Sequence, residues 1–190
     1  SRELGRAYLA GRGVPASTAE GVRWLTLAIE GGDAEARLVL AQLHLRGLGH
    51  ADTTDLFAAP VAGVTDAPAA ARLALSAAED GSVEAMSLYA WLCATGQGVE
   101  KDPAAAARWY GRAAEAGHAP AKLGLGMIRL HGLDGVTDAP MACRLVAEAA
   151  EEKLPTALYV LGTLYEAAVP PLPFDEARAF ILYREAAEKG

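Results

Sequence analysis

Few residues in this sequence are equipped for chemistry. The histidines are His44, His50, His118 and His131, and the cysteines are Cys93 and Cys143. His44 and Cys93 come nearest to a metal pair, because they hold the same position on successive helical patterns. Neighbouring helix axes lie about 8–10 Å apart, so one ion would bridge them only in favourable rotamers. Two ligands also fall short of a zinc site, and packing is the expected role of both. Leu123-Gly124-Leu125-Gly126-Met127 contains Gly-x-Gly, but it sits inside a helical pattern with no strand before it and does not make a phosphate loop. No G-x-S-x-G marks a nucleophile. Glu151 and Glu152 are adjacent and point to different helix faces. The six residues Gly63–Pro68 recur in type at Gly135–Pro140, without the ligand spacing of a calcium loop. The sequence therefore predicts no catalytic residue, no cofactor-binding residue and no metal ligand.

What the sequence does carry is a repeat, and fixed-period self-similarity sets the fold before any local motif does. Ser17, Asp66, Asp102, Asp138 and Asp175 are placed to cap a helix with a side-chain oxygen. Fifteen residues after each comes Gly32, Gly81, Gly117, Lys153 or Gly190, mostly the residue suited to the left-handed turn past a helix end. Four past each cap stands Gly21, Ala70, Ala106, Ala142 or Ala179, small enough for two backbones to approach closely. A second ruler runs through Leu4-Gly5, Leu40-Ala41, Tyr89-Ala90, Leu125-Gly126 and Leu161-Gly162. The second members of these pairs are 36, 49, 36 and 36 residues apart, and the caps are 49, 36, 36 and 37 apart. One insertion of 13 residues, at 50–62, accounts for both long intervals.

Each unit is then helix–turn–helix, with boundaries near 1–32, 33–81, 82–117, 118–153 and 154–190. The predicted helices include Arg2 to Ala10, Ser17 to Glu30, Asp33 (as cap) to Arg46, Thr156 to Ala167 and Asp175 to Lys189.

These residues resemble the Sel1-like repeat family, relatives of the tetratricopeptide repeat. Leu4-Gly5, Tyr8, Gly11, Gly13-Val14, Trp24, Ala28 and Gly31 carry the motif in the first unit. Gly96, Gly98-Val99, Asp102, Trp109-Tyr110 and 113–117 carry it in the third. Leu161-Gly162, Tyr165, Asp175, Tyr183 and 186–190 carry it in the fifth. The tyrosine after the Leu-Gly pair is replaced by His44, Cys93 and Arg129 in units two to four. The turn glycines are rearranged at 132–135 and absent at 169–173, which leaves the turn geometry there open. The resemblance implies an all-α fold: a right-handed α-solenoid of about five helix–turn–helix repeats, forming one domain over 1–190.

Composition agrees with packed helices: the hydrophobic fraction is 52% and the formal net charge is −7. The negative charge, with no cluster of Lys and Arg in the sequence, argues against nucleic acid. No apolar run approaches the roughly 20 residues that span a bilayer. The first helix lacks its opening turn, so the chain reads as a fragment of a longer protein, and a targeting segment would lie outside it. Some secreted family members staple each repeat with a disulfide, a regular pairing these two cysteines do not offer. A reducing compartment is slightly favoured and a periplasm also fits. The Ala-rich composition, with Arg over Lys, suggests a bacterial source.

The resemblance also implies that the first helix of each unit lines the inner, concave face. Columns one and four residues after the Gly/Ala marker, and three before it, then give an apolar groove of Leu38, Leu45, Trp91, Leu123, Met127 and Leu130. Tyr159 continues the last column, and Arg46 and His131 stand at the polar margin. Apolar residues at helical spacing also serve as core, so packing between helices is the alternative. Within the insertion, Leu56 and Phe57 are expected either to contact a partner or to fold back.

The expected function is a non-enzymatic scaffold or adaptor that binds a protein or peptide in the groove. Family members act as adaptors in bacterial signalling, cell-envelope and polarity regulation. The alternatives are a self-associating homodimer and, further off, an accessory domain of a cell-wall or polysaccharide hydrolase.

Overall fold

The computed structural model describes residues 1–47 and 65–189. The described residues form ten α-helices and no strand. In order they are α1 (Arg2–Ala10), α2 (Thr18–Glu30), α3 (Ala34–Arg46), α4 (Ala67–Glu79), α5 (Val83–Thr95), α6 (Pro103–Glu115), α7 (Ala119–His131), α8 (Ala139–Glu151), α9 (Pro155–Glu166) and α10 (Glu176–Lys189). They fall into two compact units. One comprises Ser1–Leu92 with Gly96–Glu100, the other Cys93–Thr95 with Lys101–Gly190.

The second helices begin where their caps put them. Ser17 Oγ accepts from the Glu20 N–H at 3.2 Å. Asp66, Asp102, Asp138 and Asp175 accept from the N–H three residues on at 2.8, 2.9, 2.9 and 2.9 Å. Asp33 caps α3 by accepting from both Glu35 and Ala36. Each bond satisfies an N–H that a helix start leaves without a partner, worth about 1 kcal/mol. Pro68, Pro103 and Pro140 occupy first turns, where a missing N–H costs nothing.

The cap residue also fixes the turn before it through its own N–H. Ser17, Asp66, Asp102, Asp138 and Asp175 donate to the carbonyls of Tyr8, His44, Cys93, Arg129 and Tyr165, at 2.9–3.2 Å. Those acceptors are the variable tyrosine column. A backbone carbonyl does the work there, so tyrosine, histidine, cysteine and arginine serve equally. The bond survives in units four and five, whose turn sequences depart most from the repeat.

Two points in the repeat require a left-handed backbone. At the second, Gly32, Gly81 and Gly117 hold φ of 85°, 95° and 88°, and Lys153 takes 60°. At the first, Gly11, Gly47, Gly96 and Gly132 are all positive, and Ala168 takes 51°. Unit five therefore makes its turn without a glycine.

The small residues let paired helices close up. A Cβ on Gly5 would lie 3.0 Å from Leu25 Cγ, and one on Gly126 3.1 Å from Val146. Ala70, Ala106, Ala142 and Ala179, four past their caps, are at most 2% exposed. In the first unit Leu25, Ala28, Ala36 and Leu40 form one cluster, and Ala41, Ala70, Ala71, Ala74 and Leu92 another. In the second, Cys143, Val146, Ala149, Leu158, Leu161, Leu164 and Tyr165 centre a larger one. Each fully buried leucine, such as Leu25, Leu92 or Leu158, contributes roughly 1.5–3 kcal/mol.

Candidate functional site

The side chains that could do chemistry are placed for packing. Cys93 and Cys143 are buried, and neither is in a disulfide. Burial pushes the Cys143 thiol up, away from the reactive thiolate, and its Sγ rests 3.8 Å from the carbonyls of Val169 and Pro170. Tyr110 is pushed up to about 12 by burial, with Cys93 adding to the effect. Among the described residues, no three His, Cys, Asp or Glu side chains converge on a metal position. No helix there is long and apolar enough to cross a membrane.

The first helices carry the expected partner-facing residues, and burial sorts them. In the first unit, α3 holds Leu38, Leu45 and Arg46, and α5 holds Trp91. Leu38 is 5% exposed and belongs to the packing. Leu45 is half-buried against Ala41, Ala70, Ala71, Ala74 and Leu92. Arg46 is exposed, and Trp91 keeps 38% of its surface open.

In the second unit, α7 holds Leu123, Met127, Leu130 and His131, and α9 holds Tyr159. Leu123 and Leu130 are brought together, half-buried, on the cluster around Cys143 and Leu161. Met127 is half-buried and His131 exposed. Tyr159 is 56% exposed, and its ring centroid lies 5.3 Å from that of Tyr183. The Tyr183 hydroxyl donates to Glu166 Oε2 at 2.6 Å. That bond, with burial and the Glu166 charge, raises the Tyr183 pKa to about 12. Leu56 and Phe57 lie outside the described residues.

The second helices present two features that the motif residues do not signal. Six residues past each cap stand Arg23, Arg72, Arg108 and Arg144, all exposed, with Ile181 in unit five. Five past the caps of units two to four, Ala71, Ala107 and Cys143 are 1–6% exposed, whereas Phe180 of unit five is 65% exposed. Both columns were available in the sequence once the caps set the register.

A family model described as Sel1 repeat matches residues 2–33, 83–118, 119–154 and 155–190. The chain belongs to the Sel1 repeat family. The match leaves out 34–82, the stretch that holds the insertion. None of the curated proteins compared with the chain matches it.

Among solved structures, a Sel1 repeat protein from Oxalobacter formigenes superposes with a TM-score of 0.85 at 27% identity, over 100% of this chain and 70% of that one. The protective antigen c5321 of uropathogenic Escherichia coli, described as having an SLR fold, superposes at 0.77 with 27% identity. This chain spans 37% of its length. A Sel1 repeat protein from Klebsiella pneumoniae, at 20% identity and a TM-score of 0.59, shares the fold. Sel1 repeats in general are protein-interaction modules and typically non-catalytic.

Proposed function

We propose that this Sel1 repeat chain is a non-enzymatic scaffold, a single five-unit domain that binds a protein or peptide on the concave, first-helix face. The observation that carries this reading is the exposure of two large aromatic side chains, Trp91 on α5 and Tyr159 on α9. Aromatic residues of this kind dominate the energy of protein contacts, and an apolar patch with a polar margin suits a helix or an extended segment. Met127, Leu123 and Leu130 supply apolar surface nearby in sequence, Leu45 does so on α3, and Arg46 and His131 form the margin. Leu56 and Phe57 are proposed as a secondary contact. The bacterial sources of the similar structures favour a bacterial setting, in signalling, cell-envelope or polarity regulation.

Photo-crosslinking from position 91 or 127 in lysate of the source organism tests the reading. A discrete protein adduct at these positions, absent from the exposed second-helix positions 23 and 72, supports it. Equal labelling from all four positions sinks it.

Self-association is a second reading with an observation of its own. Phe180 and Ile181 on α10 are 65% and 51% exposed, as is Phe174 of the preceding turn at 64%. Solution mass that rises with concentration in the wild type, and not in Phe180→Glu, would favour it.

A further inference from the structure

A cavity of about 730 Å³ opens within the second unit between α6 and α8, with α7 contributing to its lining. Its wall carries four guanidinium groups, those of Arg108, Arg112, Arg129 and Arg144, against the two carboxylates of Glu115 and Glu148. That balance is the reverse of the chain's own net charge of −7.

Partners inside the molecule separate the four arginines. Arg129 is paired with Asp134. Arg112 lies 4.4 Å over the Trp109 ring. Glu148 is neutralised by Lys122 at 3.0 Å and only grazed by Arg144 at 3.9 Å. Arg108 has no ion pair among the described residues. Arg108 on α6 and Arg144 on α8 hold the same repeat position, six past Asp102 and Asp138, and both are exposed. Half-buried Met141 adds apolar surface to the same wall.

Gly111 also lines the opening. It lies inside α6, where glycine costs about 1 kcal/mol relative to alanine. A Cβ there would meet nothing within 4 Å, and its φ is not in the left-handed range. Neither the turn chemistry nor the packing asks for glycine at this position. Its missing side chain widens the cavity.

We propose that this groove docks an acidic protein segment. Its carboxylates pair with the forked guanidiniums of Arg108 and Arg144, and an apolar side chain rests on Met141. The site is separate from the first-helix face and stands or falls without it.

The test is fluorescence anisotropy on the full chain with labelled synthetic peptides. The probes are a peptide of repeated Glu-Glu-Leu, its Gln-Gln-Leu counterpart and a phosphoserine version. The Glu peptide is expected to bind, and the Gln peptide is not. Arg108→Glu/Arg144→Glu weakens binding about tenfold or more, and salt at about 0.5 M, which screens charges within a few ångströms, weakens it further. Arg108→Gln/Arg144→Gln gives a smaller loss in the same direction, and because both side chains are exposed these variants keep the helical circular dichroism of the wild type. The charge-matched control Arg23→Glu/Arg184→Glu leaves binding unchanged. Equal loss in the control, equal binding of the Gln peptide, or binding of the phosphoserine peptide alone would each overturn the proposal.

Discussion

Gly162 of α9 lies so close under the ring of Tyr183 in α10 that a Cβ on the glycine would stand 2.6 Å from the ring's Cε1. The Leu-Gly marker is thus a clearance for the partner helix, and Tyr183 is held over it by the bond to Glu166. Gly162→Ala is expected to destabilise the chain by roughly 1–3 kcal/mol through overpacking. Gly111→Ala, with open space around it, is expected to stabilise by roughly 0.5–1 kcal/mol. Urea unfolding of the two variants beside the wild type checks both signs.

Lys153 and Ala168 hold left-handed backbone where other units have glycine. A left-handed residue with a Cβ costs roughly 1–2 kcal/mol. Lys153→Gly and Ala168→Gly should each raise the unfolding midpoint, and Lys153→Val should lower it. Losing the Lys153 pair with Glu185, 2.6 Å and partly exposed, subtracts little, because pairs of this kind contribute about 0–1 kcal/mol.

Asp134 sits in the rearranged turn of unit four. Burial pushes its carboxyl up, but the hydrogen bond and charge of Arg129 and the Val136 N–H outweigh burial and hold it below the ordinary 3.8. Asp33 is lowered in the same way: burial is opposed by the Ala36 and Glu35 N–H groups and by Arg2. A depressed folded-state value means that the stabilisation is present above the unfolded pKa and is lost as pH falls through the folded one. The stability gap between wild type and Asp134→Asn should therefore be constant from neutral pH to about 5 and shrink as pH drops below 3.8. Chemical unfolding at a series of pH values reads the gap directly.

Asp102→Ala and Asp138→Ala should each cost about 1 kcal/mol by leaving a helix N–H unsatisfied. Asp102→Ser should recover most of the loss. Thermal unfolding separates these outcomes.

Helix ends were legible in the sequence because they depend on local chemistry. An oxygen three residues before an N–H, or a glycine past the last turn, acts within one turn, and the expected limits at Ala10, Glu30, Arg46 and Lys189 match the structure. The two rulers carried the fold for the same reason. The odd turns of units four and five were not legible as sound, because the bond that holds them runs from the cap N–H to a carbonyl and no side chain reports it. The partner face was only half legible. Helical period puts Leu38 and Tyr159 in one column, yet Leu38 is 5% exposed and Tyr159 56%. Spacing assigns a face, and the neighbouring elements decide which part of it is covered. Trp91 and Tyr159 remain open, whereas Leu45, Leu123 and Leu130 are partly spent on packing.

The measurement that tests the central proposal most directly is calorimetric titration of the partner recovered by crosslinking into wild type and into Trp91→Ala/Tyr159→Ala. Both aromatic side chains are exposed, so the variant should keep its helical circular dichroism. The account predicts binding weakened by about 2 kcal/mol or more, the scale of an aromatic hot spot. Equal affinity for the folded variant would contradict it and place the partner elsewhere on the chain.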